Sequence, residues 1–481
     1  MRRWFGLGAV LLVASACGDD STDNPVPSGD AGAAADAFTP SDSSSGTDAT
    51  FVDEGGPPPP CNAPAAFGTS TEVGSFSAGV WTPGRDKDGL VNAKSWDSTP
   101  KNQWFQVAGT HLDALEAEVK KQIPNWYDPG TEKWGGVTDD WNGLTIDGLG
   151  NRVWLMNAGG HAGSANNGIY EYNAWRMGWG IEKLPSDPTP WSAGYKSKGP
   201  NGGTYSDCDE SQTKYTDAKS KGTWSPVNDW WGDELFWDRT PTSRHTYSAT
   251  VYNPNGNELI QLSRGRRLWR YSICDKKYTY KRVLNDGATA GFSGAQSYVV
   301  LDETKNELFY GAAGDGLYDT IGYDLTKNAW TNWGSPWSIY SGADARNGSE
   351  VTFVSFIANG QPAHYFKYDV ATRSMKTSGV IQLSGVSESS LAPLAWYYDG
   401  ASLAYVPPLD VYWMWTQMAD GSMKMFTIDP KTQPWTMKAA TATGSIPVPH
   451  ANAMRKMVWM PRIGAVLMVT RSDQNVFLYR F

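Results

Sequence analysis

"RVWLMNAGGHAGSANNGIYEYNAWRMGW", residues 152–179, sets an alternating apolar run against the glycine pair Gly159–Gly160, one histidine, a small polar loop, a second alternating run and a tryptophan. A period of two on both sides of a glycine-rich connection reads as two antiparallel strands. His161 therefore stands where one strand ends and the next is about to begin. Whether it is a reactive group or part of a turn depends on what else arrives there.

The same grammar returns along the chain. "NELFYGAAGDGLYDTIGYDLTKNAW" (306–330) again has a strand, a glycine-rich loop, a strand ending in Tyr323 and Asp324, a turn and Trp330. "MFTIDPKTQPW" (425–435) repeats the last third, with Trp435 six residues after Asp429, the spacing also of Asp324 to Trp330 and Asn173 to Trp179. "YFKYDVATRSM" (365–375) ends in Met375 instead, and "LWRYSICDKKYTY" (268–280) keeps the strand and Asp275. Each unit has an apolar run upstream: 143–147, 247–253, 295–302, 351–357, 393–399 and 456–461. A four-stranded antiparallel unit recurring every ~40–60 residues is what a propeller blade requires. The aspartate side chain can bond the backbone two residues on at a turn, and the aromatic residue is expected to pack between adjacent sheets.

These units resemble kelch repeats, and "GGHAGSANNGIYEYN…W" followed by "SRHTYSATVYNP" resembles the bacterial kelch-type propellers, a group akin to the central domain of galactose oxidase. The likeness covers roughly residues 100–481, strongly over the first three units and loosely in the fourth. It implies an all-β, kelch-type β-propeller of six blades, or seven if residues 185–240 hold a degenerate one. The last unit stops at Phe481 after its third strand, so "NQWFQVAG" (102–109) is expected to supply the outer strand. That pairing would close the ring and remove two exposed sheet edges.

Outside the repeats the chain is simpler. "MRRWFGLGAVLLVASAC" has two arginines and an apolar core too short to span a bilayer, and reads as a signal over residues 1–17. The small residues before Cys17 resemble a lipoprotein lipobox, which implies lipidation of Cys17, with ordinary signal cleavage as the alternative. Gly18 after Cys17 favours the outer membrane by analogy with lipoprotein sorting. Residues 18–60 contain no lysine or arginine and almost no large apolar side chain, and read as an extended acidic tether. A single domain, 61–481, follows, with one helix expected over 110–123. The formal charge of −9 becomes 39 − 50 = −11 once Arg2 and Arg3 leave with the signal, which argues against nucleic acid as a partner. Beyond Cys17 the cysteines are Cys61, Cys208 and Cys274; export permits one disulfide among them, and the repeat register favours Cys208 with Cys274. Their spacing fits no zinc motif, and no cofactor is expected.

In an antiparallel meander the end of the second strand and the starts of the first and third share one face. His161 ends the second strand of the first unit; Arg244, His245 and Tyr247 open the second unit; Arg264 ends that unit's second strand. The long connection 182–243, with Trp230 and Trp231 among its aromatics, leaves by the same face. Asn167 and His450, which opens the last unit, complete the set of expected ligand contacts. Five histidines offer no obvious metal site and no copper–tyrosine set. Three readings follow: binding of a carbohydrate or other extracellular ligand at this mouth; a polysaccharide lyase; or an envelope-protein scaffold. In the lyase reading, Arg264 or Arg244 neutralises a uronate carboxylate while His161 or His245 and Tyr247 act as base and acid. The likeness to such lyases lacks a second histidine soon after His161. The chain is read as a monomer that meets the membrane only through its lipid.

Overall fold

An alternating sequence becomes a sheet only where its turns allow, and here Asn, Asp and Gly supply them. The computed structural model describes residues 66–128, 132–139, 142–148, 151–159, 164, 166–187, 240–241, 243, 246, 248–263, 267–283, 296–313, 320–332, 343–347, 349–356, 362–391, 401–441, 443–447 and 455–481. The chain opens with a short hairpin, β1 (Ser75–Ser77) and β2 (Val80–Thr82), then helix α1 (Ala93–Asp97) and β3 (Gln103–Val107). Helices α2 (Glu116–Gln122) and α3 (Trp134–Asp139) follow. The expected helix over 110–123 is thus realised as a 3₁₀ turn, Asp113–Leu115, running into α2.

Six meanders come next. The first is β4 (Thr145–Asp147), β5 (Arg152–Met156), β6 (Ile169–Asn173) and β7 (Gly178–Lys183). The second is β8 (Thr250–Asn253), β9 (Glu258–Ser263), β10 (Arg267–Ser272) and β11 (Lys277–Val283). The third is β12 (Gln296–Asp302), β13 (Glu307–Ala313), β14 (Thr320–Asp324) and β15 (Ala329–Asn332). The fourth is β16 (Ala343–Asn347), β17 (Glu350–Phe356), β18 (Ala363–Asp369) and β19 (Ser374–Ser384), and the fifth β20 (Ser402–Val406), β21 (Val411–Gln417), β22 (Met423–Asp429) and β23 (Trp435–Ala439). The sixth has three consecutive strands, β24 (Met457–Met460), β25 (Ala465–Met468) and β26 (Phe477–Arg480). Its fourth is β3, antiparallel to β26 with Tyr479 opposite Trp104.

Turn chemistry sets where these strands start. A residue in the left-handed region stands immediately before β5, β9, β13, β21 and β25: Asn151 (φ 52°), Asn257 (45°), Asn306 (52°), Asp410 (51°) and Gly464 (60°). Asn, Asp and Gly adopt that region at least cost. At the later turns the side-chain oxygen of Asp324 accepts from the amides of Thr326 and Lys327, each at 2.9 Å, and that of Asp369 from Ala371 and Thr372 at 2.9 and 3.2 Å. Asn173 does the same for Trp175 at 3.0 Å.

Two departures from plain meanders are visible. The tail of β19 leaves β18 and runs parallel to β23, Ile381 opposite Trp435, so the fourth and fifth meanders form one eight-stranded sheet. The β1–β2 hairpin adds to β3 through a parallel pairing of Trp81 with Val107. Ala78 (φ 49°) and Gly79 (79°) make the tight turn that this hairpin needs.

Apolar residues of each sheet pack against the next. Trp154 and Met156 meet Leu259 and Trp269; Ile260 and Leu268 meet Leu308 and Tyr323; Phe309 meets Phe353 and Tyr368. Tyr365 stacks on Trp435 with centroids 3.5 Å apart, and Trp413 and Trp415 meet Trp104, Val466 and Phe477. The sixth contact is between Phe105, Leu467 and Leu478 of the last meander and Val153, Tyr170 and Tyr172 of the first.

Candidate functional site

The strand ends that carry the expected mouth are held by short polar side chains. Asn157, buried just beyond β5 at φ 50°, donates through Nδ2 to Gln261 Oε1 of β9 at 2.6 Å and accepts from the Tyr278 hydroxyl of β11 at 2.7 Å. One asparagine thereby locks the second strand of the first meander to the second meander. Two residues on, the carbonyl of Gly159 accepts from the Ser164 amide at 2.6 Å. A Cβ at Gly159 would lie 2.7 Å from the Ser164 carbonyl oxygen and 2.8 Å from Ser243 Cβ, so only glycine lets the two chain segments touch.

Ser164 is the hub of that contact. Its hydroxyl donates to the Asp128 carboxylate and accepts from the Asn166 amide at 3.0 Å, while its carbonyl accepts from the Ser243 hydroxyl at 2.6 Å. Asn166 Oδ1 accepts from the Gly168 amide (3.0 Å) and the Tyr170 hydroxyl (2.6 Å), which fixes the orientation of its side chain. The other end of that amide, Nδ2, is buried and has no hydrogen-bond partner among the described residues. Burial, with the Asp128 charge adding to it, pushes the Tyr170 phenol well above its ordinary pKa, so it stays a neutral donor.

The chain entering β8 is fixed from the other side. Asn142 Oδ1 accepts from the Thr246 amide at 2.9 Å, and its Nδ2 donates to the Gly136 carbonyl of α3 at 2.9 Å. Lys456, buried at the start of β24, donates to the carbonyls of Thr138 and Asn142. Its neighbour Arg455 reaches past the first meander to the carbonyls of Ser248 (3.0 Å) and Thr250 (3.3 Å), while the Leu144 amide donates to Arg455's own carbonyl at 3.0 Å. Ser164 and Asn142, beside the strands of the first meander, and Arg455, at the entry to the sixth, thus pin Ser243, Thr246 and Ser248.

His161, Arg244, His245, Tyr247, Arg264, Trp230, Trp231 and His450 lie outside the described residues, as do Cys17 and Cys208. Their flanks do not: Gly159 and Ser164 bracket His161, and Ser243, Thr246 and Ser248 bracket the Arg244–Tyr247 stretch. The Ser243–Ser164 bond joins these two sets of flanks. Asn167, expected to meet a ligand, spends its polar atoms internally. Its Nδ2 donates to Ser186 Oγ (2.8 Å), Thr240 Oγ1 (2.9 Å) and the Pro241 carbonyl (2.7 Å), and its Oδ1 accepts from the Ser186 amide (2.7 Å). Fully buried, it clamps the two ends of the long connection rather than offering a group to solvent. Cys274 is disulfide-bonded, its partner lying outside the described residues.

Sequence reasoning missed Asp128, Asn142, Arg455 and Lys456. Two cations immediately before an apolar inner strand, "MRKMVWM", were the available signal for the last pair. Asp128 and Asn142 sit outside the repeat, where no pattern marks them. Among the described residues no group of His, Cys, Asp and Glu gathers as a metal site.

No protein-family model and no curated protein sequence matches the chain. Among solved structures it is similar to hydrazine synthase of Kuenenia stuttgartiensis, at 9% identity over 73% of this chain and 77% of that one, with a TM-score of 0.38. It is similar to the GH74 xyloglucanase from Xanthomonas campestris at 13% identity over 78% of this chain and 49% of that one, TM-score 0.40. The WD40 repeats of RRP9 match at 7% identity over 73% and 98% of the two chains, TM-score 0.37. Likenesses at these values assign this chain no activity.

Proposed function

We propose that this chain is a six-bladed kelch-type β-propeller, exported and anchored by lipid on Cys17, that binds a carbohydrate or other extracellular ligand on the loop face of blades one and two. The six meanders, with apolar contacts running from each to the next and from the sixth back to the first, support the ring; β3 is then the strand that closes it. The observation that carries the site is the Ser243–Ser164 hydrogen bond, because it brings the flanks of His161 and of Arg244–His245 together from positions 79 residues apart. The buried amides and hydroxyls of Asn142, Ser164 and Asn167 are bonded within the protein and hold these flanks in fixed positions, which suits a preformed ligand site. Trp230 and Trp231, outside the repeat, are assigned as its stacking surfaces. Cys208 is assigned as the partner of Cys274.

The same meeting of flanks favours a second reading, elimination on a uronate polymer, with Arg244 or Arg264 against the carboxylate, His161 or His245 as base and Tyr247 as acid. One panel tests both. The full chain is incubated with polygalacturonate, alginate and neutral glucans while tryptophan fluorescence and ultraviolet absorbance are followed. Quenching without new absorbance, lost in Trp230→Ala/Trp231→Ala, is the result expected for binding. New absorbance from unsaturated uronides, abolished in His245→Ala, makes the protein a lyase. Neither signal on any polymer overturns the carbohydrate reading and leaves an envelope protein as the partner.

A further inference from the structure

The residues before β3 lie outside the four-stranded units, with β1 and β2 extending the sixth sheet beyond β3, and they are held by many bonds. Ser95 Oγ accepts from the amides of Gly74 (3.0 Å) and Gly84 (2.7 Å), and Asn92 caps α1 by accepting from the Ser95 amide at 2.7 Å. This compact strap touches two sheets. On the sixth-meander side Trp81 packs edge-on to Phe105 with centroids 6.0 Å apart. There Arg480 of β26 also donates to the Trp96 carbonyl at 2.6 Å and pairs with Asp97 at 2.9 Å. On the first-meander side the Val91 amide donates to the Trp175 carbonyl at 2.8 Å. Phe67 meets the Trp175 ring at 5.0 Å, and Arg85 donates to the carbonyls of Arg176 and Met177.

We propose that the strap Phe67–Asp97 is a mechanical clasp: it takes tension arriving from the N-terminal tether and passes it to the first and sixth sheets together, shielding the β3–β26 pairing. The proposal rests on the tethered reading for the source of the tension, while the clasp is a property of the contacts above. Tension applied ahead of Phe67 meets the Phe67–Trp96–Trp175 aromatic cluster and the Gly68 amide to Val91 carbonyl bond (2.8 Å) before any residue of β3. Arg85 fixes the middle of the strap to the turn between β6 and β7, and β2 pairs along β3, so the strap must release from both sheets before the pull reaches β3 along the chain.

The test is single-molecule stretching of the full chain between an N-terminal handle and a clickable side chain placed at the exposed position 389. Two successive events are expected. The first frees the strap, about 30 residues or roughly 100 Å of extended chain, and the second removes β3. Arg85→Ala and Phe67→Ala lower the force of the first event and leave the second where it was. A single event releasing strap and β3 together, or an Arg85→Ala chain with an unchanged first event, overturns the clasp. Absence of lipid on Cys17, read by mass, would instead remove the tether reading and leave the two-step trace as it is.

Discussion

Glu182 shows how one side chain records its surroundings. It lies in β7 with its side chain 5% exposed, takes a bond from Lys276 across the joint to the second meander, and keeps Oε1 buried without a hydrogen-bond partner among the described residues. Burial outweighs the lysine and raises its pKa, with Glu171 adding to the rise and Arg152 opposing it. A folded-state value above the unfolded one means that folding takes up a proton, so stability grows as pH falls through the folded value and is lowest above it. Glu182→Gln should therefore lack this part of the pH dependence, so that its stability gains on the parent as pH rises from 4 to 8; urea melts across that range check this, and parallel curves would refute it. Asn167→Ala removes every polar contact of a buried clamp and is expected to cost ~1–3 kcal/mol, with the ends of the 182–243 connection becoming protease-sensitive. The sequence reading expected Asn167 to contact a ligand; its part as a clamp could not be read, because its partners Ser186 and Thr240 lie 19 and 73 residues away.

At the level of elements, the repeat grammar carried the reading. The Asp or Asn followed six residues later by tryptophan marks the turn between third and fourth strands, and the aspartate oxygens do bond the amides two residues on. The pairing of β3 with the tail could be read from a final unit one strand short. What could not be read are contacts with no period: the parallel seam of β19 with β23, the β1–β2 hairpin and the short helices α1 and α3. They depend on which surfaces end up side by side, and alternation within a strand says nothing of that. Trp435 illustrates the energetics. It lies flat against Tyr365 of the preceding meander and near Tyr412 of its own, and Trp435→Ala should cost about 3–5 kcal/mol in chemical unfolding. Trp435→Phe should recover most of it; equal losses for the two would show that ring stacking is not what holds that joint.

For the whole molecule, β3 and β26 make the first and last parts of the domain interdependent. Ending the chain after Gln474 removes β26 and bares the edges of β25 and β3, and the expected product is loss of the single cooperative transition with self-association in size-exclusion chromatography. A monomer with an unchanged melt would mean that the pairing contributes little. Arg455 tests the same idea from inside: Arg455→Met keeps the bulk but takes its bonds from the carbonyls of Thr250 and of Ser248, which keeps the Val299 amide as donor, and this should cost ~1 kcal/mol and loosen the entry to β8 in hydrogen exchange. The parallel seam between β19 and β23 has a different bearing. Elsewhere a repeat unit is an interchangeable module, free in principle to be duplicated, deleted or swapped during evolution. Here two neighbours share one uninterrupted hydrogen-bonded slab, so relatives with more or fewer units should gain or lose the 343–384 and 402–439 modules as an inseparable couple.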